Sequence, residues 1–385
     1  MSGESQAQTR DGRDGALKGR LSPLHVLSSL GQSVWIDFLS RDSIRSGELR
    51  GLMESAAVVG ATSNPTIFQK AMTAGSAYEE QLRELDPALE TPEVFWTLAQ
   101  QDIGEACDQF ADVWEAGGGR DGYVSIEVDP GLAYDTLATF REAMSLHEAI
   151  SRPNLMVKIP ATQPGLAAIE DAIAQGRSIN ITLIFSLARY EQVAASYIRG
   201  LERLVAGGGD PRKVASVASF FVSRIDTEAD RRLSEIGGHD HLKGKLAVAN
   251  ARLAYQRYLS IFSGPRWEFL QGKGATAQRL LWASTSVKDP AYPDTMYVEE
   301  LIGPDTVNTM PEETINAYQD HGHPRARLRA GLAPARQLLS ELAAAGVDYD
   351  DVTETLEREG VQKFSDSFQE LLKALHEKRR ALAPA

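Results

Sequence analysis

The stretch that decides the fold is NLMVKIPATQPGLAAIEDAIAQGRSINITLIFS, residues 154–186. Its two ends, NLMVKIP (154–160) and SINITLIF (178–185), are short, apolar and rich in β-branched residues, as strands buried on both faces are. Between them, PGLAAIEDAIAQG has apolar residues at helical spacing, with Pro164 in the opening turn and Gly176 at the end. A strand, a helix and a second strand in this order predict a unit of a parallel sheet.

The same alternation extends in both directions along the chain. Eight strand-like runs alternate with helical patterns, and eight such units in roughly 280 residues favour a closed (β/α)8 barrel over an open doubly wound sheet. The other six runs are SVWIDF (33–38), AAVVGAT (56–62), GYVSIEV (122–128), VASVASFFV (214–222), LLWASTS (280–286) and the weaker DTVNTM (305–310).

Two helical segments exceed what a barrel needs. Residues 226–272 predict an insertion between the sixth and seventh strands, and residues 324–383 predict a charged helical tail. The polar residues 1–24 predict a disordered tail, and residues 25–385 predict a single domain, since there is no repeat and no long linker.

Composition limits the possible partners. With 385 residues, 43% of them hydrophobic, the chain predicts a large globular core, and its net charge of −13 argues against nucleic acid or an anionic membrane as a partner. No apolar run of about 18 residues predicts a spanning helix. Cys107 is the only cysteine, so an intramolecular disulfide is excluded and the cytoplasm is the expected compartment.

Polar residues gather where the predicted strands end, which is where a (β/α)8 barrel carries its active site. They are Asp37, Asn64, Glu127, Lys158, Asn180, Thr182, Ser219, Arg224, Ser286 and Lys288.

Lys158 interrupts an apolar strand and shares a face with Met156 by the two-residue period of a strand. If it points into the barrel, burial disfavours its ammonium form, and a neutral amine can attack a carbonyl to form a Schiff base. The alternative is a lysine that reaches out to water or pairs with a carboxylate.

The other strand-end residues also have two readings. Glu127 and Asp37 are suited to transfer protons, and the alternative is that they form a structural ion pair. Asn64 and Asn180 are suited to bind the hydroxyls of a sugar, and the alternative is that they form local hydrogen bonds. A phosphate site at Ser219, Arg224, Ser286 and Lys288 would lie at the late-strand loops, and the alternative is ordinary surface charge.

The histidines of GHDH (238–241) and HGH (321–323) lack metal-ligand spacing and are predicted to be surface residues, so no metal site is expected.

Taken together, the motifs resemble those of the transaldolase family, particularly its longer form. The resemblance spans about residues 25–325, and the blocks that carry it are WIDFLSR, GATSNPTIFQKAM, VSIEVDPGLAYDT, NLMVKIPAT, SINITLIFS, ASFFVSRID, LLWASTSVKDP and DTVNTMPEETINAY. It implies a (β/α)8 barrel of the class I, Schiff-base aldolase type without metal or organic cofactor. It also implies sugar-phosphate substrates: a dihydroxyacetone unit passes from sedoheptulose 7-phosphate to glyceraldehyde 3-phosphate, giving erythrose 4-phosphate and fructose 6-phosphate in the non-oxidative pentose phosphate pathway.

The resemblance also assigns roles. Lys158 matches the Schiff-base nucleophile, Glu127 and Thr182 match residues that hold a water for carbinolamine formation and breakdown, and Asp37 matches the acid/base of carbon–carbon cleavage. The residues that match the dihydroxyacetone contacts are Asn64, Asn180 and Ser219, and those that match the phosphate site are Arg224, Ser286 and Lys288. Lys288 stands where shorter relatives have arginine and offers a point charge without a bidentate fork.

Three functions are compatible with this reading: a transaldolase, an aldolase of the same fold that simply cleaves or joins a dihydroxyacetone unit, and a non-catalytic sugar-phosphate-binding barrel. Phe221 matches a ring beside the catalytic water that is tyrosine in the cleaving relatives, which favours transfer. The third reading requires loss of the lysine or a carboxylate, and both kinds of residue are present. The oligomer is expected to be a monomer or a homodimer.

Overall fold

A computed structural model describes residues 21–382. Within them, eight parallel strands close into a barrel in which each strand pairs with its sequence neighbours and β1 pairs with β8. This confirms the predicted (β/α)8 barrel. The strands are β1 Gln32–Ile36, β2 Val58–Thr62, β3 Val124–Glu127, β4 Leu155–Pro160, β5 Ile179–Ile184, β6 Ser216–Phe221, β7 Arg279–Ala283 and β8 Thr306–Met310.

Every residue of β4, β5 and β6 is buried. Both faces of these strands are covered, one by the barrel interior and the other by helices, so apolar residues are favoured at nearly every position. A polar side chain inside such a strand is the exception that needs an explanation.

The helices surround the barrel and extend beyond it. They are α1 Pro23–Ser29, α2 Arg41–Ser46, α3 Glu48–Ser55, α4 Pro65–Thr73, α5 Glu79–Glu84, α6 Thr91–Gln109, α7 Ala111–Ala116, α8 Thr136–Ile150, α9 Gln163–Ala174, α10 Leu187–Ala206, α11 Ser223–Ile236, α12 Leu246–Ile261, α13 Pro265–Gly272, α14 Met296–Glu300, α15 Glu312–His321, α16 Leu332–Ala344 and α17 Tyr349–Leu382.

Helix starts follow the capping residues in the sequence. Ser186 accepts a hydrogen bond from the Arg189 N–H at the start of α10, and Thr162 accepts one from the Gly165 N–H at the start of α9. Such caps satisfy backbone donors that have no partner inside the helix. Each of these caps lies two residues after the end of a strand, so it also fixes the turn that leads out of the barrel.

The two predicted helical additions are present. The insertion between β6 and β7 contains α11, α12 and α13, and the tail contains α16 and the 34-residue α17. Of the predicted disordered tail, residues 1–20 lie outside the described residues, and α1 begins at Pro23. The division into a tail and a single domain stays a prediction.

Candidate active site

Lys158 lies inside the barrel at its carboxyl end. Its side chain is 7% exposed, and its Nζ lies 3.5 Å from Oε2 of Glu127, whose side chain is 3% exposed. The ammonium also donates to the backbone carbonyl of Ser63 at 3.2 Å. The register explains the pairing, because Glu127 of β3 and Asn180 of β5 are the direct neighbours of Lys158 on either side. Glu127, Lys158 and Asn180 therefore lie side by side at the same height on three adjacent strands.

Glu127 has an unusual protonation equilibrium. Burial raises its pKa to about 7, and the charge of Lys158 opposes this rise. Neither carboxylate oxygen of Glu127 forms a hydrogen bond within residues 21–382, and the same holds for Oγ1 of the fully buried Thr182. A buried oxygen without a partner is costly, so these three atoms are well suited to bind polar groups that come from outside the chain.

Asp37 directly follows β1 and lies near the lysine. Thr62 donates to Asp37 Oδ1 at 2.7 Å, and the hydroxyls of Thr62 and Thr309 are also 2.7 Å apart. Burial raises the pKa of Asp37, and the nearby charge of Lys158 lowers it. The second carboxylate is thus held in place by hydroxyls from β2 and β8.

Asn180 and Ser219 belong to a chain of hydrogen bonds inside the barrel. Ser219 donates to Asn180 Oδ1 at 2.7 Å, and Asn180 Nδ2 donates to Ser125 Oγ at 3.0 Å. These bonds fix the amide across β3, β5 and β6.

Asn64 serves as a helix cap. Its Oδ1 accepts a hydrogen bond from the Ile67 N–H at 3.0 Å at the start of α4. Asn64 also lines a crevice of about 10 Å³ together with Glu127 and Phe368. The predicted local hydrogen bond of this residue is therefore observed. Its amide nitrogen forms no hydrogen bond within residues 21–382 and is available to act in the site as well.

Arg224 lies at the start of α11, half-buried, and forms no ion pair within residues 21–382. Its Cζ lies 5.1 Å from the centre of the Phe221 ring. Burial lowers the pKa of Arg224, while the charges of Asp37 and Glu127 raise it. A guanidinium in this position keeps its donors available for an anion.

Ser286 and Lys288 lie on the loop after β7. Lys288 is exposed and donates to Ser286 Oγ at 2.6 Å. Apart from this bond, neither side chain hydrogen-bonds a predicted site residue within residues 21–382. Among residues 21–382, no three His, Cys, Asp or Glu side chains lie close enough together to hold a metal ion.

Several residues in the site were missed by sequence reasoning. Thr62, Ser63 and Thr309 end or follow strands, so the signal that selected Asp37 and Asn64 was available for them. Ser125 shares the inward face of β3 with Glu127. Phe364 of α17, whose ring centre lies 5.9 Å from Lys158 Nζ, falls outside the strand-end pattern, and no sequence signal marked it.

The fold and this arrangement define a class: a (β/α)8-barrel enzyme with a buried lysine and two carboxylates at the carboxyl end of the barrel. The chain belongs to the transaldolase/fructose-6-phosphate aldolase family, whose model matches residues 34–375. Members of this family are enzymes, and the chain is similar over nearly its whole length to proteins named transaldolase.

Three of these relatives come from different bacteria. A transaldolase of Frankia alni is 52% identical over 355 residues, covering 91% of this chain and 96% of the relative. A transaldolase of Acidothermus cellulolyticus is 52% identical over 356 residues, covering 92% and 96%. Transaldolase 1 of Streptomyces coelicolor is 51% identical over 356 residues, covering 91% and 93%.

Proposed function

We propose that this protein is a transaldolase that moves a dihydroxyacetone unit from sedoheptulose 7-phosphate to glyceraldehyde 3-phosphate through a Schiff base on Lys158. The observation that carries the proposal is the buried Lys158 within 3.5 Å of Glu127, in a chain about half identical to transaldolases over nearly its whole length. The reaction needs no metal or organic cofactor, because the lysine itself forms the electron sink.

The first half of the reaction begins at the lysine. The neutral amine of Lys158 attacks the ketose carbonyl carbon, and the resulting carbinolamine loses its hydroxyl as water to give an iminium. Glu127 and Thr182 bind that water through their unpartnered oxygens, and Glu127 transfers the proton that converts hydroxyl to water. A carboxyl group whose pKa lies near 7 is suited to give and take this proton at neutral pH.

The carbon–carbon bond is broken next. Asp37 takes the proton of the hydroxyl on the β-carbon, counted from the iminium carbon. The bond between the α- and β-carbons then breaks, and its electron pair moves into the iminium to form an enamine. An aldehyde leaves. The enamine then attacks the acceptor aldehyde, Asp37 returns the proton to the new hydroxyl, and a water held by Glu127 hydrolyses the iminium.

The remaining residues bind the substrate. Asn64, Asn180 and Ser219 hydrogen-bond the dihydroxyacetone unit, and Arg224 binds the phosphate with Ser286 and Lys288. Arg224 is the best supported of these three, since it is half-buried and has no carboxylate partner within residues 21–382.

The alternative within the family is an aldolase that only cleaves or joins fructose 6-phosphate. Phe221 favours transfer, because its ring offers no hydroxyl to help release the enamine to water. Product analysis separates the two: a transaldolase forms a new ketose only when an acceptor aldehyde is present, while an aldolase releases dihydroxyacetone without one.

The test of the mechanism is covalent trapping. Borohydride added with fructose 6-phosphate reduces the iminium to a stable secondary amine, and mass spectrometry is expected to find the adduct on Lys158. An adduct on another lysine, or none, would overturn the proposed mechanism. A Lys158→Arg variant, which keeps the charge but lacks a nucleophilic amine, is expected to give no adduct.

We further propose that the enzyme acts in the cytoplasm as a monomer or homodimer, with sugar phosphates as its substrates and neither nucleic acid nor membrane as a partner. No helix within residues 21–382 is both long and apolar enough to cross a membrane. The buried free thiol of Cys107 and the net charge of −13 support the same proposal.

A further inference from the structure

The long helix α17 packs across the end of the barrel that carries Lys158. It contacts β5 near its carboxyl end, α4 after β2, the short turn of helix Pro130–Leu132 after β3, and α11 after β6. All four segments lie at the carboxyl ends of strands. The helix is therefore a neighbour of the candidate active site, although it lies far from the catalytic residues in sequence.

Polar contacts hold the first part of α17 in this place. The hydroxyl of Tyr349 donates to Asn250 Oδ1 at 2.6 Å and accepts from the Leu187 N–H at 3.0 Å. Two turns later Glu357 pairs with Arg189 at 3.1 Å. These partners lie on α10 and α12, so the helix is fixed to the barrel and to the insertion at once.

A glycine allows the helix to approach closely. A Cβ at Gly360 would lie 3.0 Å from Leu183 Cδ2 and 3.6 Å from Phe185 Cε2. Phe185 in turn packs on Phe221 with ring centres 5.1 Å apart. One turn after this close approach, α17 places Phe364 over the site.

The Phe364 ring faces two cations. Its centre lies 5.9 Å from Lys158 Nζ and 6.0 Å from Arg224 Cζ, and the residue is 6% exposed. Arg224 also lies against the Phe221 ring. The guanidinium thus lies 5.1 Å and 6.0 Å from the centres of two aromatic rings and pairs with no carboxylate within residues 21–382.

We propose that Phe364 of α17 is a positioning residue of the active site, which orients Arg224 for the phosphate group of the substrate. This inference rests on the proposed function. An arginine bound by carboxylates would lose its donors to them, whereas contact with two rings restricts its motion and leaves the N–H groups free.

The measurement that tests this role needs no acceptor aldehyde. The rate of borohydride trapping on Lys158 is determined against fructose 6-phosphate and, separately, against dihydroxyacetone, which has no phosphate. In Phe364→Leu we expect the half-saturating concentration of fructose 6-phosphate to rise about tenfold, the scale of a lost cation–π contact. That of dihydroxyacetone is expected to stay within about twofold, since no contact to Arg224 is involved. Phe364→Tyr, which keeps the ring, is expected to retain the wild-type value.

Two further variants separate positioning from stability. Leu375→Ala removes a fully buried side chain about 16 Å further along the same helix, so it lowers the melting temperature while leaving both half-saturating concentrations unchanged. In an Arg224→Ala background, Phe364→Leu is expected to cause no additional loss for fructose 6-phosphate. Should Phe364→Leu fail to fold, Phe364→Met fills more of the space without a ring and gives the same comparison.

An unchanged response to fructose 6-phosphate in a folded Phe364→Leu variant would overturn the inference, as would an equal loss for both ligands or the same loss in Leu375→Ala. If the wild-type protein gives no Lys158 adduct, the proposed function fails instead. Adduct formation in the wild type with no selective effect at position 364 leaves the proposed function intact and removes only the role of Phe364.

Discussion

The pair formed by Glu127 and Lys158 combines two opposing effects at the scale of single residues. Burial penalises each charge, and their mutual attraction at 3.5 Å compensates only in part, so the pKa of Glu127 rises to about 7. Protonated Glu127 is consequently accessible at neutral pH. A solvent-exposed ion pair of the same residues would hold both charges firmly and would do no proton transfer.

The pH dependence of turnover is the first prediction. Hydrolysis of the iminium needs Glu127 as a carboxylate to take a proton from water, so the rate is expected to fall as the pH drops through about 7. Glu127→Gln is expected to slow turnover by about 10²-fold or more and to remove this ionisation from the profile. Steady-state rates between pH 5 and pH 9 check both statements. A Glu127→Gln profile with the same ionisation would assign it to another group.

Asn64 gives a second prediction, because it has both a structural contact and a proposed ligand contact. Asn64→Ser keeps a capping oxygen for the Ile67 N–H but loses the amide donor. We expect a nearly unchanged melting temperature and a rise of about 2–10-fold in the half-saturating concentration of ketose, the worth of one hydrogen bond. Asn64→Ala is expected to show the same rise and to lose about 1 kcal/mol of stability as well. Equal ketose affinity in wild type and Asn64→Ser would leave Asn64 as a cap only.

What the sequence could predict at this scale follows from strand geometry. The two-residue period predicts which face of β4 carries Lys158, and the register then brings Glu127 and Asn180 to it. The hydroxyl chain from Asp37 through Thr62 to Thr309 joins the first, second and eighth strands. No local pattern encodes that contact, because it exists only once the barrel has closed.

At the scale of elements, strand β5 contains a local irregularity next to the site. Leu183 has a φ of 60°, and the register with β6 shifts between Ile181 and Ile184. A positive φ is unfavourable for a branched side chain and re-aims it relative to a regular strand. In this conformation Leu183 packs against Gly360, so the irregular strand and the helical glycine fit each other.

This fit leads to a third prediction, on two helical glycines. A Cβ at Gly104 in α6 would meet nothing within 4 Å, so Gly104→Ala is expected to raise the free energy of unfolding by about 0.5–1 kcal/mol. Gly360→Ala gains the same helix propensity but places its Cβ 3.0 Å from Leu183, so no increase is expected. Urea unfolding of both variants makes the comparison. An equal gain at both sites would mean that Leu183 yields freely and that the contact does not fix α17.

The elements themselves were well marked in the sequence. All eight predicted strand runs contain the observed strand or overlap it closely, since β-branched runs bounded by caps and glycines are strong local signals. The place where α17 packs was not predictable. Its amphipathic pattern indicates a helix with one buried face, and the surface that covers this face is formed by segments 100 to 300 residues away.

At the scale of the whole molecule, the insertion is joined to the barrel by a buried carboxylate. Asp226 of α11 accepts hydrogen bonds from the Ala247 N–H at 2.7 Å and from the Tyr297 hydroxyl at 2.9 Å. Its side chain forms no ion pair within residues 21–382, and burial raises its pKa to about 7. Three parts of the chain, α11, α12 and α14, meet at this one group.

The fourth prediction concerns the effect of pH on stability. Because the pKa of Asp226 is higher in the folded state than the usual 3.8, the folded protein holds this proton between about pH 4 and pH 7 while the unfolded chain releases it. This contribution to stability is therefore present at low pH and is lost as the pH rises through about 7. Asp226→Asn keeps an acceptor oxygen and has no proton to lose.

Unfolding by urea at pH 5 and pH 8 measures this effect. Between pH 5 and pH 8, the variant is expected to gain up to about 3 kcal/mol of stability relative to the wild type. A difference between the two proteins that does not change with pH would show that Asp226 does not titrate in this range.

The place of α17 in the chain has a consequence for synthesis. Translation proceeds from the amino end, so all eight strands, with Lys158, Glu127 and Asp37, have been made by Met310, before the first residue of α17 at Tyr349. The ring of Phe364 is thus added to a barrel whose strands are already complete. A ribosome that stops between Ala344, the last residue of α16, and Tyr349 releases a chain that has every proposed reacting group but lacks the helix over the active site. A premature stop codon there therefore tests what this last helix adds to catalysis.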